Sequence, residues 1–358
     1  MKSKITSSLK EEDEPPDSLI AKTEIKQKEP VKERGSFFVS LENSKKTLPL
    51  TFDPSVFKTL QVEIASDINR CFELWKEFSP QKTLFDTWEF RFAFYQAYKH
   101  RPYFILLKNQ SENLALLFLW YEKEKKKFFW FGSQWQEEIR FFSKNPNYVS
   151  ILLSIAPSPL LLNAISKDLV ESFKDKIKFE EDEPKYILNL EGFKNHEDYL
   201  MTIKKNRRRN LRKDRNRIRK MNPEIVINNF SDFEKLVELS KNRFVQKGEE
   251  ADWEDERRVE AFRQVIKLAG KSYSVRMISV KIGDEIAGVD LIAIFNKTYY
   301  TLKCGYNVKD FPGIGNFVNL FEIDDAISLE MKKIDFLQNS YQWKNKYFQA
   351  IPLYKYEK

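Results

Sequence analysis

Three side chains near the end of the chain have types suited to acid–base and charge-stabilising chemistry. Asp290 stands inside an apolar run, residues 286–295, on the side shared with Gly288, Ile292 and Ile294. A carboxyl there must be paired, hydrated or protonated. At a cleft mouth, desolvation would raise its pKa toward that of a general base; a buried pair with an arginine is the structural alternative. Asp335 opens the short apolar run 334–337 and can orient or deprotonate an amine, or only start a strand. Lys344 can stabilise an oxyanion or hold a phosphate or carboxylate, with Tyr341, Trp343, Tyr347 and Phe348 as a wall that excludes water. Between these groups lies the turn Phe311-Pro312-Gly313-Ile314-Gly315-Asn316. A helical period follows at once in Phe317, Leu320, Phe321, Ile327 and Met331. The N–H groups of Gly313, Ile314, Gly315 and Asn316 can hold a phosphate at that helix start. A Pro-Gly turn with Asn316 as N-cap is the plain structural reading.

A second charged feature is the run 204–220, with eleven Lys or Arg and one acid, Asp214. Its thin apolar stripe (Leu200, Ile203, Leu211, Ile218 and Met221) docks one side and leaves a basic face. Arg207, Arg208 and Arg212 are the candidate anion-binding residues. Such a face suits tRNA phosphates or an anionic lipid, with strong salt dependence. As a purely structural helix it would instead pair with the acids of 180–183 or 249–256.

These residues need a scaffold, and the chain spells one out twice. A helix near 72–75, a helix over 85–98 and strands at 103–108, 114–120 and 128–132 are matched by helices near 233–236 and over 255–268 and strands at 273–280, 286–295 and 299–305. A repeat of about 150 residues is a tandem duplication rather than a solenoid. The first copy lacks a glycine turn after its third strand, which makes it the degenerate one and a wall for a site in the second. The expected organisation is a disordered charged tail over 1–47, a degenerate domain over 48–185 and a catalytic domain over 186–358, with the basic helix at 199–221. The fold class is α+β, each domain a mixed, largely antiparallel sheet flanked by helices.

Composition narrows the chemistry. The net charge of +8 favours anionic partners without bearing on fold. Two cysteines far apart fit a reducing compartment, and two histidines argue against a histidine triad or metal site. No apolar run approaches the roughly 20 residues of a membrane span, and the N-terminus has no signal-like apolar region. Cys304 reads as a buried, inert thiol.

The run Tyr199-Leu200-Met201-Thr202-Ile203-Lys204-Lys205-Asn206-Arg207-Arg208-Arg209-Asn210-Leu211-Arg212-Lys213 resembles the entry to the catalytic half of the BioF2-like, cellulose-biosynthesis-associated acetyltransferases of the GNAT superfamily. Thr83-Leu84-Phe85-Asp86-Thr87-Trp88-Glu89 is similar to that family's start. Asp335-Phe336 followed by Trp343-Lys344 resembles its ending, with tryptophan for the usual tyrosine. The resemblance implies tandem GNAT-like domains in a bacterial cytoplasm. It also implies direct transfer of an acyl group, without metal, from acetyl-CoA or another acyl-CoA to an amine of a small molecule or cell-envelope precursor. One departure is Asp310, where ordinary GNATs carry Arg or Gln in the CoA-binding pattern. FemAB-like transferases, which take an aminoacyl group from tRNA, belong to the same superfamily, and the basic run suits that donor. A non-enzymatic duplicated scaffold that binds an anionic partner is the third reading.

Overall fold

The computed structural model describes residues 36–40 (backbone only), 60–133, 138–173, 177–339 and 343–358. Most of the expected tail lies outside them. Within it, Ser36–Ser40, a stretch rich in strand-forming residues, forms an edge strand, β1. The first unit continues with β2 (Gln61–Ala65), α1 (Ile68–Phe78), α2 (Trp88–Tyr98), β3 (Arg101–Lys108), β4 (Asn113–Glu122), β5 (Lys127–Trp130) and β6 (Phe142–Ser143). Strands β1 to β5 lie side by side in chain order, and β6 pairs with β4.

Helix α3 (Pro146–Ile155) packs on β3, β4 and β6 of the first unit. The second unit contains β7 (Leu161–Ser166), α4 (Lys167–Glu171), β8 (Glu180–Asn189), α5 (His196–Thr202), α6 (Lys205–Arg219), β9 (Glu224–Ile227), α7 (Phe233–Lys247) and α8 (Glu256–Leu268). It ends with β10 (Ser274–Ile282), β11 (Glu285–Phe295), β12 (Thr298–Tyr306), α9 (Ile314–Ser328), β13 (Lys333–Asp335), α10 (Lys344–Tyr347) and β14 (Gln349–Glu357). Its sheet has the order β7-β14-β8-β13-β12-β11-β10-β9, antiparallel except for β12 and β13. Strands β7 and β8 thus join the second sheet, because β14 returns between them. The boundary expected at 185 falls inside β8.

The order helix-helix-strand-strand-strand occurs twice, as α1-α2-β3-β4-β5 and α7-α8-β10-β11-β12. The corresponding helices α2 and α8 pack on each other, with Phe94 edge-on to Phe262 at 5.8 Å. Phe85 meets Tyr300 at 5.8 Å, and the Tyr300 hydroxyl accepts the Leu84 N–H at 3.3 Å. One apolar core runs through both units, so the first unit braces the sheet of the second.

Two features position the site. Parallel pairing of β12 with β13 ends at Tyr300–Asp335, yet β12 runs on to Tyr306. Beyond Tyr300 that edge of β12 has no strand partner among the described residues. Helix α7 also lies close on β12: a Cβ added at Gly305 would stand 2.3 Å from the Leu236 carbonyl oxygen.

Candidate active site

A cavity of about 480 Å³ opens where β12 and β13 part, a volume suited to a small molecule. Residues 301–304 and Tyr306 of β12, Asp290 of β11, residues 336–339 after β13, and Trp343 and Lys344 line it. Gly313, Gly315, Asn316 and Asn319 come from the α9 region, Ser240, Arg243 and Phe244 from α7, and Asp214 from α6.

Asp290 is 3% exposed, and its Oδ2 accepts the Tyr306 hydroxyl at 2.6 Å. Burial pushes its carboxyl up to about 7, the poise of a general base at neutral pH. Its neighbour Glu322 is fully buried and raised well above the ordinary value by burial and by Asp290. Asp290 Oδ1 and both Glu322 oxygens have no other hydrogen-bond partner among the described residues. Two such carboxyls cannot both ionise cheaply, so the pair holds a proton at neutral pH.

The glycine turn opens α9 with Gly313 as N-cap at φ 94°, a conformation that favours glycine. Asn316, expected as a possible cap, sits inside the first turn. The helix has no side-chain cap, and the N–H groups of Gly315 and Asn316 have no protein acceptor among the described residues. That leaves donors for an anion. An unexpected neighbour comes from α6. The Asp214 carboxylate accepts the Asn316 side-chain amide at 2.7 Å, and a Cβ on Gly313 would stand 2.7 Å from the Asp214 Cβ.

Lys344 reaches the cavity wall, where its ammonium donates to the carbonyls of Phe336 (2.5 Å) and Gln338 (2.6 Å). It thereby holds the segment that leaves β13 in place. Asp335 does not line the cavity. It is 1% exposed, accepts from Lys185 at 2.8 Å through Oδ2 and from the Leu337 N–H at 3.0 Å through Oδ1. Lys185 also bonds Glu138 at 2.5 Å. The Asp335 carboxylate therefore anchors the cavity wall rather than facing a ligand.

Arg207, Arg208 and Arg212 stand apart from the cavity. Arg207 donates to the Lys346 carbonyl, Arg208 meets the Met201 sulfur at 3.2 Å, and Arg212 pairs with Glu197 at 2.6 Å. The acids in the ion pairs of α6 among the described residues are Glu197 and Asp214. Lys205, Arg209, Lys213 and Arg219 are exposed, with no ion pair among the described residues.

Sequence reasoning passed over Tyr306, Glu322, Arg243 and Asp214 as site residues. Of these, Arg243 had a local signal: it stands in phase with the buried positions Phe233, Leu236, Val237 and Ser240 of α7. Cys304 lines the cavity as an inert thiol, pushed up to about 12 by burial and by Asp290. No group of His, Cys, Asp and Glu among the described residues could hold a metal, and no described helix is long and apolar enough to cross a membrane.

No curated protein matches the chain. Among solved structures it is similar to a conserved protein of unknown function from Bacteroides thetaiotaomicron (TM-score 0.56, 12% identity, 82% of this chain and 98% of that one). It is also similar to FemX (0.53, 10% identity, 81% and 96%). A third likeness is to the C-terminal domain of a candidate lysylphosphatidylglycerol synthetase from Agrobacterium fabrum (0.51, 9% identity, 79% and 91%). At such identities the likeness is one of fold. Residues 205–345, from α6 to α10 and so nearly the whole cavity wall, match the acetyltransferase (GNAT) domain family, and the second unit has the GNAT-type acyltransferase fold.

Proposed function

We propose that the chain is an N-acyltransferase of the cellulose-biosynthesis-associated kind. It moves an acyl group from acetyl-CoA or another acyl-CoA to an amine of a small molecule or cell-envelope precursor, in the cavity between β12 and β13. One observation carries this reading: an uncapped helix start with a glycine turn and a carboxyl raised to about 7 line the same cavity. A bacterial cytoplasm is consistent with two unbridged cysteines.

When bound, acyl-CoA would supply a thioester whose C–S bond is exchanged for a C–N bond to the amine. The N–H groups of Gly315 and Asn316 would hold its phosphate. Asp290 accepts the proton that the attacking amine loses, and solvent returns one to the thiolate. The unpaired edge of β12 offers backbone N–H groups to the developing oxyanion. Lys344 keeps the opposing wall fixed.

A second reading, transfer from aminoacyl-tRNA as in FemAB-like transferases, draws support from two observations. The solvent face of α6 carries exposed cations with no ion pair among the described residues, and Asp214 beside the glycine turn opposes a diphosphate there. The test is thermal stability with acetyl-CoA, longer acyl-CoAs, free CoA and bulk tRNA, each at low and moderate salt. A ligand at 100 times its Kd adds about 2.7 kcal/mol. Stabilisation by CoA species that persists in salt supports the first reading. Stabilisation by tRNA alone, fading with salt, replaces it with the second.

A further inference from the structure

We propose that the acceptor amine in this cavity belongs to a molecule that also carries an acidic group, a carboxylate or a phosphate, and that Arg243 binds that group. This deepens the transfer reading above and rests on it for the identity of the reaction. The buried face of α7 advances through Phe233, Leu236, Val237 and Ser240. Position 243 is next in phase, where a helix on a sheet normally carries an apolar residue. Here it carries a guanidinium, which stays charged at any ordinary pH.

Arg243 lines the cavity and is half-buried. It has no ion pair and no hydrogen bond among the described residues, unlike its neighbours. On the same helix Lys235 pairs with Glu238 at 2.7 Å, and Lys241 lies 3.8 Å from Glu254 and Glu256. On the cavity wall Lys303 pairs with Asp252, which also holds Arg258 from outside the cavity. A half-buried charge with no acid bonded to it among the described residues is costly, and a ligand acid is what the position lacks.

The geometry also links it to the base. Arg243, Asp290 and Cys304 line the same cavity. An acceptor with its acid on Arg243 would present its amine toward Asp290. Guanidinium is a bidentate partner for carboxylate and phosphate alike.

The test compares β-alanine with β-alaninamide, L-glutamate with L-glutamine, and O-phosphoethanolamine with ethanolamine. Each is assayed by thermal shift without donor and by thiol release with acetyl-CoA, in the wild type, Arg243→Gln and Arg243→Lys. The acidic member of at least one pair is expected to stabilise the wild type and bind at least about tenfold more weakly to Arg243→Gln. Arg243→Lys is expected to fall between them. The carboxylate and phosphate pairs identify which acid is read. Acid-dependent stabilisation without thiol release would uphold the Arg243 site while the acyl-CoA reading fails. Equal stabilisation within every pair, no stabilisation by any compound, or binding unchanged in Arg243→Gln would overturn the inference.

Discussion

Asp290→Asn separates the base from its cost. The Asp290 carboxyl titrates near 7 in the fold, against an ordinary value of 3.8. Between about pH 4 and 7 the folded chain keeps a proton that the unfolded chain has released, so stability falls as pH rises through that window. At about 1.4 kcal/mol per pH unit, burying the charge costs up to about 4 kcal/mol above pH 7 and between 1 and 2 kcal/mol (roughly) at pH 5. Asparagine has no charge to bury. Its carbonyl can accept the Tyr306 hydroxyl as Oδ2 does now at 2.6 Å, and its amide faces Glu322, whose oxygens lack another partner among the described residues. Urea unfolding of both proteins at pH 5 and pH 8 is the assay. The stability of Asp290→Asn relative to the wild type is expected to be about 3 kcal/mol more favourable at pH 8 than at pH 5. Any offset from packing cancels in that difference. A gain that is the same at both pH values would refute the assignment of a raised carboxyl at this position.

Three further outcomes follow from the same geometry. The transfer rate is expected to rise with pH through an apparent pKa near 7 as Asp290 loses its proton, and Asp290→Asn should lower it by about 10²- to 10⁴-fold; a flat pH–rate profile would speak against Asp290 as the base. Asp335→Ala leaves Lys185 bonded to Glu138 alone and should cost about 3–5 kcal/mol in chemical unfolding; unchanged stability with lost activity would instead return Asp335 to the chemistry. Gly305→Ala places a methyl group 2.3 Å from the Leu236 carbonyl oxygen, so α7 must lift from β12. A sharp fall in thermal midpoint and in soluble yield is expected, and wild-type stability would show that the helix is not held there.

Much of the second unit was legible because its signals are local. The apolar run 286–295 and the glycine turn before α9 each act over a few residues, and the doubled order of elements repeats the strand and helix signals. Contacts across long separations were not legible. Lys185 meets Asp335 across 150 residues, and Asp214 reaches Asn316 across 102; both pairings depend on how the sheet is assembled. The same holds for β14, which inserts between β7 and β8 and draws them away from the first unit. Asp290 was found because an acid in an apolar strand violates the pattern around it. Arg243 breaks the pattern of α7 in the same way, but its apolar stripe was followed only as far as the first turn.

The most direct test is calorimetric titration of acetyl-CoA into the wild type, Asp214→Asn and Gly315→Trp, with circular dichroism to check that each is folded. Acetyl-CoA is expected to bind the wild type. Asp214→Asn, which removes the carboxylate beside the helix start, should bind it about two- to fivefold more tightly. Gly315→Trp, whose added Cβ already stands 3.1 Å from the Tyr306 ring, should not bind it. Binding of the same strength to all three folded proteins, or to none, would contradict the assignment of the glycine turn as the donor site.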